Sequence, residues 1–166
     1  MTAAHFTLGK VLAALGSHRQ AIEEYKKTLA ITPIFPDGYF QLGRSYVSLK
    51  RFNDGVEAYN DTLRLSPNFF EAYIGIGKAY INAERNDEAI APLRNAIAIN
   101  PSSTDAYDKL GLAYANLGEH EKAIAPYLEL ARIDFRNPVA QYKAGDAYSK
   151  INKKQEAIKK FEDAIR

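Results

Sequence analysis

The stretch AYDKLGLAYANLGEHEKAIAPY, residues 106–127, decides the fold, because the rest of the chain restates it at one spacing. Gly9, Gly43, Gly77, Gly111 and Gly145 are each 34 residues apart. Three residues on, Leu12, Tyr46, Tyr80, Tyr114 and Tyr148 keep the same interval. So do Ala21, Gly55, Ala89, Ala123 and Ala157, and so do Tyr25, Tyr59, Leu93, Tyr127 and Phe161. Pro33, Pro67 and Pro101 form a further series that stops at Phe135. Several series sharing one period of this length are the mark of a repeat architecture.

Each repeat holds two apolar runs at three- and four-residue spacing, the pattern of an amphipathic helix. In the second repeat the helices are predicted over Asp37–Leu49 and Phe52–Leu65. Gly43 has no side chain, which lets the second helix approach its backbone, and the small Gly55 faces that gap. Tyr46 and Tyr59 then fill the wedge on either side, and Pro67 punctuates the helix end. Neither helix buries its face alone, so neighbouring repeats must stack.

Tyr39, Leu42, Gly43, Tyr46, Gly55, Tyr59, Thr62 and Pro67, with Tyr107, Leu110, Gly111, Tyr114, Ala123 and Tyr127 two repeats on, resemble the tetratricopeptide repeat family. The resemblance covers essentially the whole chain. It implies an all-α fold, a right-handed α-solenoid of about five 34-residue helix-turn-helix repeats. The expected organisation is a single domain over 1–166, with repeats at 2–35, 36–69, 70–103, 104–137 and 138–166.

Composition narrows the function classes. Twenty-two basic and 20 acidic side chains leave a net charge of +2, too balanced for a phosphate-facing nucleic-acid surface. There is no cysteine, hence no disulfide framework, thiolate site or cysteine nucleophile. No apolar run reaches the ~20 residues of a membrane span, and the expected location is cytoplasmic, or the cytoplasmic face of a membrane through partners. His5, His18 and His120 are isolated in sequence, with no metal spacing or triad among them. Gly75-Ile-Gly77-Lys78 has the wrong spacing for a phosphate loop. No cofactor, metal or enzymatic activity is expected.

Departures from the pattern carry their own expectations. The chain enters its first repeat at Thr2, and stacked repeats usually carry end caps. It is therefore read either as a piece of a longer protein or as one whose ends meet another copy. Pro92 and Pro126 fall inside second helices, where proline removes a hydrogen bond. They are expected on the solvent side rather than at a functional hinge. Phe135 stands where proline ends other repeats, and either fills space or stays partly exposed. The basic end, Lys150, Lys153, Lys154, Lys159 and Lys160, reads as a solvated helix.

In tetratricopeptide arrays the first helices line a concave face, so the resemblance also implies where a partner would lie. One row is Phe6, Phe40, Ile74, Asp108 and Tyr142. One turn on come Lys10, Arg44, Lys78, Leu112 and Asp146. An apolar row beside a basic row suits a protein or peptide segment with apolar and acidic side chains. Alternatively, Lys10, Arg44 and Lys78 pair with Asp37, Glu71 and Asp105 of the next repeat and hold the stack. The dicarboxylate clamp of chaperone-binding members is not expected, because its places carry Phe6, Phe40 and Ile74. The main expectation is a protein-protein interaction scaffold. The alternatives are a self-assembling, homo-oligomeric scaffold, to which magnetosome-associated tetratricopeptide proteins are similar in organisation, and a regulatory segment of a larger enzyme.

Overall fold

Helix boundaries follow from local chemistry repeated along the chain. In the computed structural model, which describes residues 1–165, the first helices are α1 (Thr2–Ala14), α3 (Pro36–Ser48), α5 (Phe70–Asn82), α7 (Thr104–Asn116) and α9 (Pro138–Lys150). The second helices are α2 (His18–Ile31), α4 (Phe52–Leu65), α6 (Asn86–Ile99), α8 (His120–Ile133) and α10 (Lys154–Ile165). Among the described residues there is no strand, as an all-α repeat requires. Pro36 and Pro138 open α3 and α9, where a missing N–H costs nothing. Ser103 accepts from Ala106 N–H to cap α7, and Asn137 accepts from Val139 N–H to cap α9.

The turn inside each repeat is a left-handed residue after the first helix. Gly16 (φ 77), Lys50 (φ 59), Glu84 (φ 60), Gly118 (φ 75) and Asn152 (φ 61) occupy it. At Gly16 the chain closes as a Schellman motif. Ser17 N–H reaches Leu12 C=O at 2.8 Å and Gly16 N–H reaches Ala13 C=O at 3.0 Å. Lys50 and Arg51 make the same pair of bonds to Val47 and Tyr46, both 2.9 Å. Only two of the five residues are glycine, so this regularity of the backbone is partly hidden in the sequence.

Contacts divide the chain into two compact units, Met1–Ala83 and the residues from Glu84 onward, with the division at the turn inside the third repeat. In the first unit α2 packs on α1 and α3, and α4 packs on α3 and α5. Its core comprises Ala21, Ile22, Tyr25, Leu29, Leu42 and Tyr46 at one level and Val56, Tyr59, Ala72, Ile76 and Ala79 at the next. Gly43 and Gly55 meet as expected: a Cβ on Gly43 would lie 2.8 Å from the Tyr59 ring and 3.1 Å from Gly55 C=O. In the second unit α7 packs on α6 and α8, and α9 on α8 and α10. Leu130, Ala131 and Ala140 form a buried cluster there.

Pro92 and Pro126 lie inside α6 and α8, which run on past them. Pro126 is buried rather than solvent-facing, and Pro92 is half-buried. The expectation of a solvent-side position fails because these prolines share a helix face with buried Ala89, Ala96, Ala123 and Leu130. Phe135 is left 74% exposed, with the Arg136 guanidinium 5.4 Å over its ring.

Candidate functional site

The apolar row of the first unit joins successive repeats. Phe6 meets Phe35 edge-on at 4.8 Å and Tyr25 at 6.0 Å. One repeat later Phe40 meets Phe69 at 5.0 Å and Tyr59 at 5.6 Å. Phe35 and Phe69 are the residues just before α3 and α5. Each first-helix phenylalanine therefore ties its own second helix to the start of the next repeat. Both are half-buried, and Ile74, next in the row, is only 6% exposed. These positions point toward the core side of their helices, so Ile74 offers a partner almost no surface.

The basic row behaves differently. Lys10 and Arg44 are exposed on adjacent first helices. Lys10 Nζ lies 5.7 Å over the Phe6 ring, and Arg44 donates to Gln41 Oε1 at 3.3 Å. Among the described residues no ion pair joins Lys10 to Asp37 or Arg44 to Glu71. The expected charge ladder is thus not formed at its first two steps. Lys78, third in the row, is half-buried.

In the second unit the corresponding residues are engaged internally. Asp108 holds Lys109 at 2.8 Å and also pairs with Lys143 on α9. Burial raises its pKa, but the two ammonium groups outweigh that and leave the carboxyl below its ordinary value. Tyr142 is exposed and packs on Phe161 at 5.6 Å and 44°, the geometry of Phe40 on Tyr59.

Between α1, α2 and α3 lies a cleft of about 200 Å³, walled by Lys10, His18, Tyr25, Gln41, Arg44 and Ser45. Tyr25 is fully buried. Its hydroxyl and His18 Nδ1 are buried polar atoms without a hydrogen-bond partner among the described residues. Burial raises the Tyr25 phenol above its ordinary pKa, partly opposed by the Arg44 guanidinium. From the sequence Tyr25 reads as a wedge-filling aromatic and His18 as a turn residue; neither is singled out for binding. One signal was present: Leu93 and Phe161 hold the same repeat position without a hydroxyl, so packing does not require one.

His5 and Glu24 form a separate polar cluster on α1 and α2. His5 Nδ1 and Glu24 Oε2 are 2.6 Å apart, and Lys27 Nζ donates to Glu24 Oε1 at 2.6 Å. Among the described residues no group of three histidines or carboxylates is gathered to hold a metal ion, and no helix is long and apolar enough to cross a membrane.

No curated protein sequence matches the chain. Models of the tetratricopeptide repeat match residues 36–69 and 104–137, and residues 139–166. A further TPR repeat model matches residues 9–49 and 77–118. A crystal structure of MamA protein superimposes with a TM-score of 0.91 at 33% identity, covering 99% of this chain and 90% of that one. A second MamA crystal structure gives 0.88 at 34% identity, covering 95% and 92%. YrrB shares the fold with a TM-score of 0.81 at 20% identity, covering 97% and 83%. The repeat spacing, the helix pairs and these matches together make the chain a member of the tetratricopeptide repeat family.

Proposed function

We propose that the chain is a protein-interaction scaffold that holds a partner segment against the first helices of its leading repeats, without chemistry of its own. One observation carries this reading. Lys10 and Arg44 are exposed cations on neighbouring helices, and neither meets a carboxylate among the described residues. Cations left in that state beside half-buried Phe6 and Phe40 suit a segment with acidic and apolar side chains. YrrB, which resembles this chain in fold, is described as a TPR protein with an unusual peptide-binding site. The test is to identify partners by crosslinking the intact protein in its native cell. Each purified partner is then measured against the wild type and against Lys10→Glu/Arg44→Glu.

A second reading, assembly with further copies, draws on α1. Leu8, Val11 and Leu15 stand at helical spacing and are 47%, 51% and 75% exposed. Exposed apolar stripes of this kind mark interaction surfaces. Light scattering across a hundredfold concentration range tests it: a constant mass near 18.5 kDa removes it, and growth that Leu8→Gln/Val11→Gln abolishes supports it.

A further inference from the structure

Buried polar groups in folded proteins are nearly always hydrogen-bonded, and an unpaired one costs free energy. Two residues that line the cleft between α1, α2 and α3 carry such a group, Tyr25 its Oη and His18 its Nδ1. They share it with two cations, Lys10 and Arg44. Each of the four can donate: the phenol O–H, the ring N–H in the Nδ1 tautomer, the ammonium and the guanidinium. At about 200 Å³ the cleft is smaller than the ~300–1,000 Å³ of small-molecule pockets. It is of a size for one side chain.

We infer that this cleft is the subsite for a single carboxylate side chain, glutamate or aspartate, of a bound protein segment. An ionised carboxylate accepts at about four lone-pair positions and donates nothing, which suits a small hollow lined by several donor-bearing side chains. Lys10 and Arg44 supply the attraction at the rim, and Tyr25 and His18 take up the oxygen that goes deepest. Hydrogen bonds to a charged group are shorter and about twice as strong as neutral ones. Engagement therefore relieves the two unpaired donors. The inference rests on the first-helix surface being the partner surface. It differs from a clamp on a terminal dicarboxylate, because its floor is built from the second helix.

The probe is N-acetyl-glutamate methylamide, titrated into the isotopically labelled full chain and followed by amide chemical shifts. The glutamine analogue serves as the neutral arm and inorganic phosphate as a third. Saturable shifts at Lys10, His18 and Ser45 with the glutamate probe, and none with the glutamine analogue, are expected. Tyr25→Phe keeps the ring in place and should weaken the glutamate probe about tenfold; its melting temperature is checked alongside. Absence of saturable shifts, equal response to the neutral analogue, or undiminished binding by a folded Tyr25→Phe overturns the inference. Tighter binding of phosphate than of the glutamate probe overturns the carboxylate assignment. The wild-type arms decide the matter even if the variant does not fold. If the probe fails while partner capture stays sensitive to Lys10→Glu/Arg44→Glu, the subsite is wrong and the surface is right. The reverse pattern refutes the surface and with it the subsite's part in partner binding, leaving only a cleft that takes a free carboxylate.

Discussion

Gly9 lies flat against the ring of Tyr25, so that a Cβ on the glycine would come within 2.6 Å of the tyrosine Cε1. The same relation recurs between Gly43 and Tyr59 at 2.8 Å and between Gly145 and Phe161 at 2.7 Å. The ring cannot retreat, since Tyr25 is fully buried within the α1–α3 core. Gly9→Ala gains about 1 kcal/mol of helix propensity and loses about 1–3 kcal/mol to overpacking. The expected net effect is a destabilisation of roughly 1 kcal/mol, read as a lower urea midpoint.

The left-handed turn makes the opposite prediction at another residue. Lys50 holds φ 59, a conformation that costs an L residue about 1–2 kcal/mol, and glycine takes it without strain. Lys50→Gly should therefore stabilise the protein by about 0.5–1 kcal/mol, after glycine's larger unfolded-state entropy is subtracted. Gly16→Ala, at φ 77 with nothing within 4 Å, should destabilise by about 1 kcal/mol through backbone strain alone. Thermal melts of the two variants should move in opposite directions.

Acid sensitivity should trace to two carboxylates. Glu24 is held below its ordinary pKa by hydrogen bonds from Lys27 and then His5. Asp108 is held low by Lys109 and Lys143 against the opposing effect of burial. A depressed folded-state pKa gives stability that is full above the unfolded value, about 4, and is lost as pH falls through the folded value. Glu24→Gln and Asp108→Asn should each flatten the fall in melting temperature below about pH 4, while lowering it at pH 7.

Alkaline behaviour carries the opposite sign. Burial pushes the Tyr59 phenol up to about 12, with Arg44 partly opposing. Burial raises Tyr127 as well, reinforced by Asp108 and Asp146. A raised pKa means stability present below the unfolded value, about 10, and lost as pH rises toward the folded one. Absorbance titration near 295 nm should show exposed tyrosines ionising first, and Tyr59→Phe should unfold at higher pH than the wild type.

The repeat period, the helix pairs and the glycine contacts were legible because each rests on residue size at a fixed interval. Gly9, Gly43, Gly111 and Gly145 against their aromatic partners are packing constraints, and packing selects residue type. The turn at Lys50, Glu84 and Asn152 was not legible, because a few side chains tolerate the left-handed region and glycine is absent there. The third repeat keeps its phase through Ala83 and Glu84, so periodicity gives no sign of the division into two units. At the surface, helical spacing groups Phe6, Phe40 and Ile74 in one row but does not say how deep each lies. Depth depends on Phe35 and Phe69, which come from the following loops. The cleft at Tyr25 escaped for a related reason. A buried tyrosine reads as packing until its hydroxyl is seen to lack a partner.

The scaffold reading stands or falls on Lys10 and Arg44. The decisive measurement is the dissociation constant of a crosslink-identified partner for the wild type and for Lys10→Glu/Arg44→Glu, at low and at high salt. Thermal melts show whether the variant is folded. The account predicts at least a tenfold loss of affinity at low salt, shrinking as salt screens the charges, with the melting temperature unchanged. Equal affinity for the two proteins at low salt would contradict it.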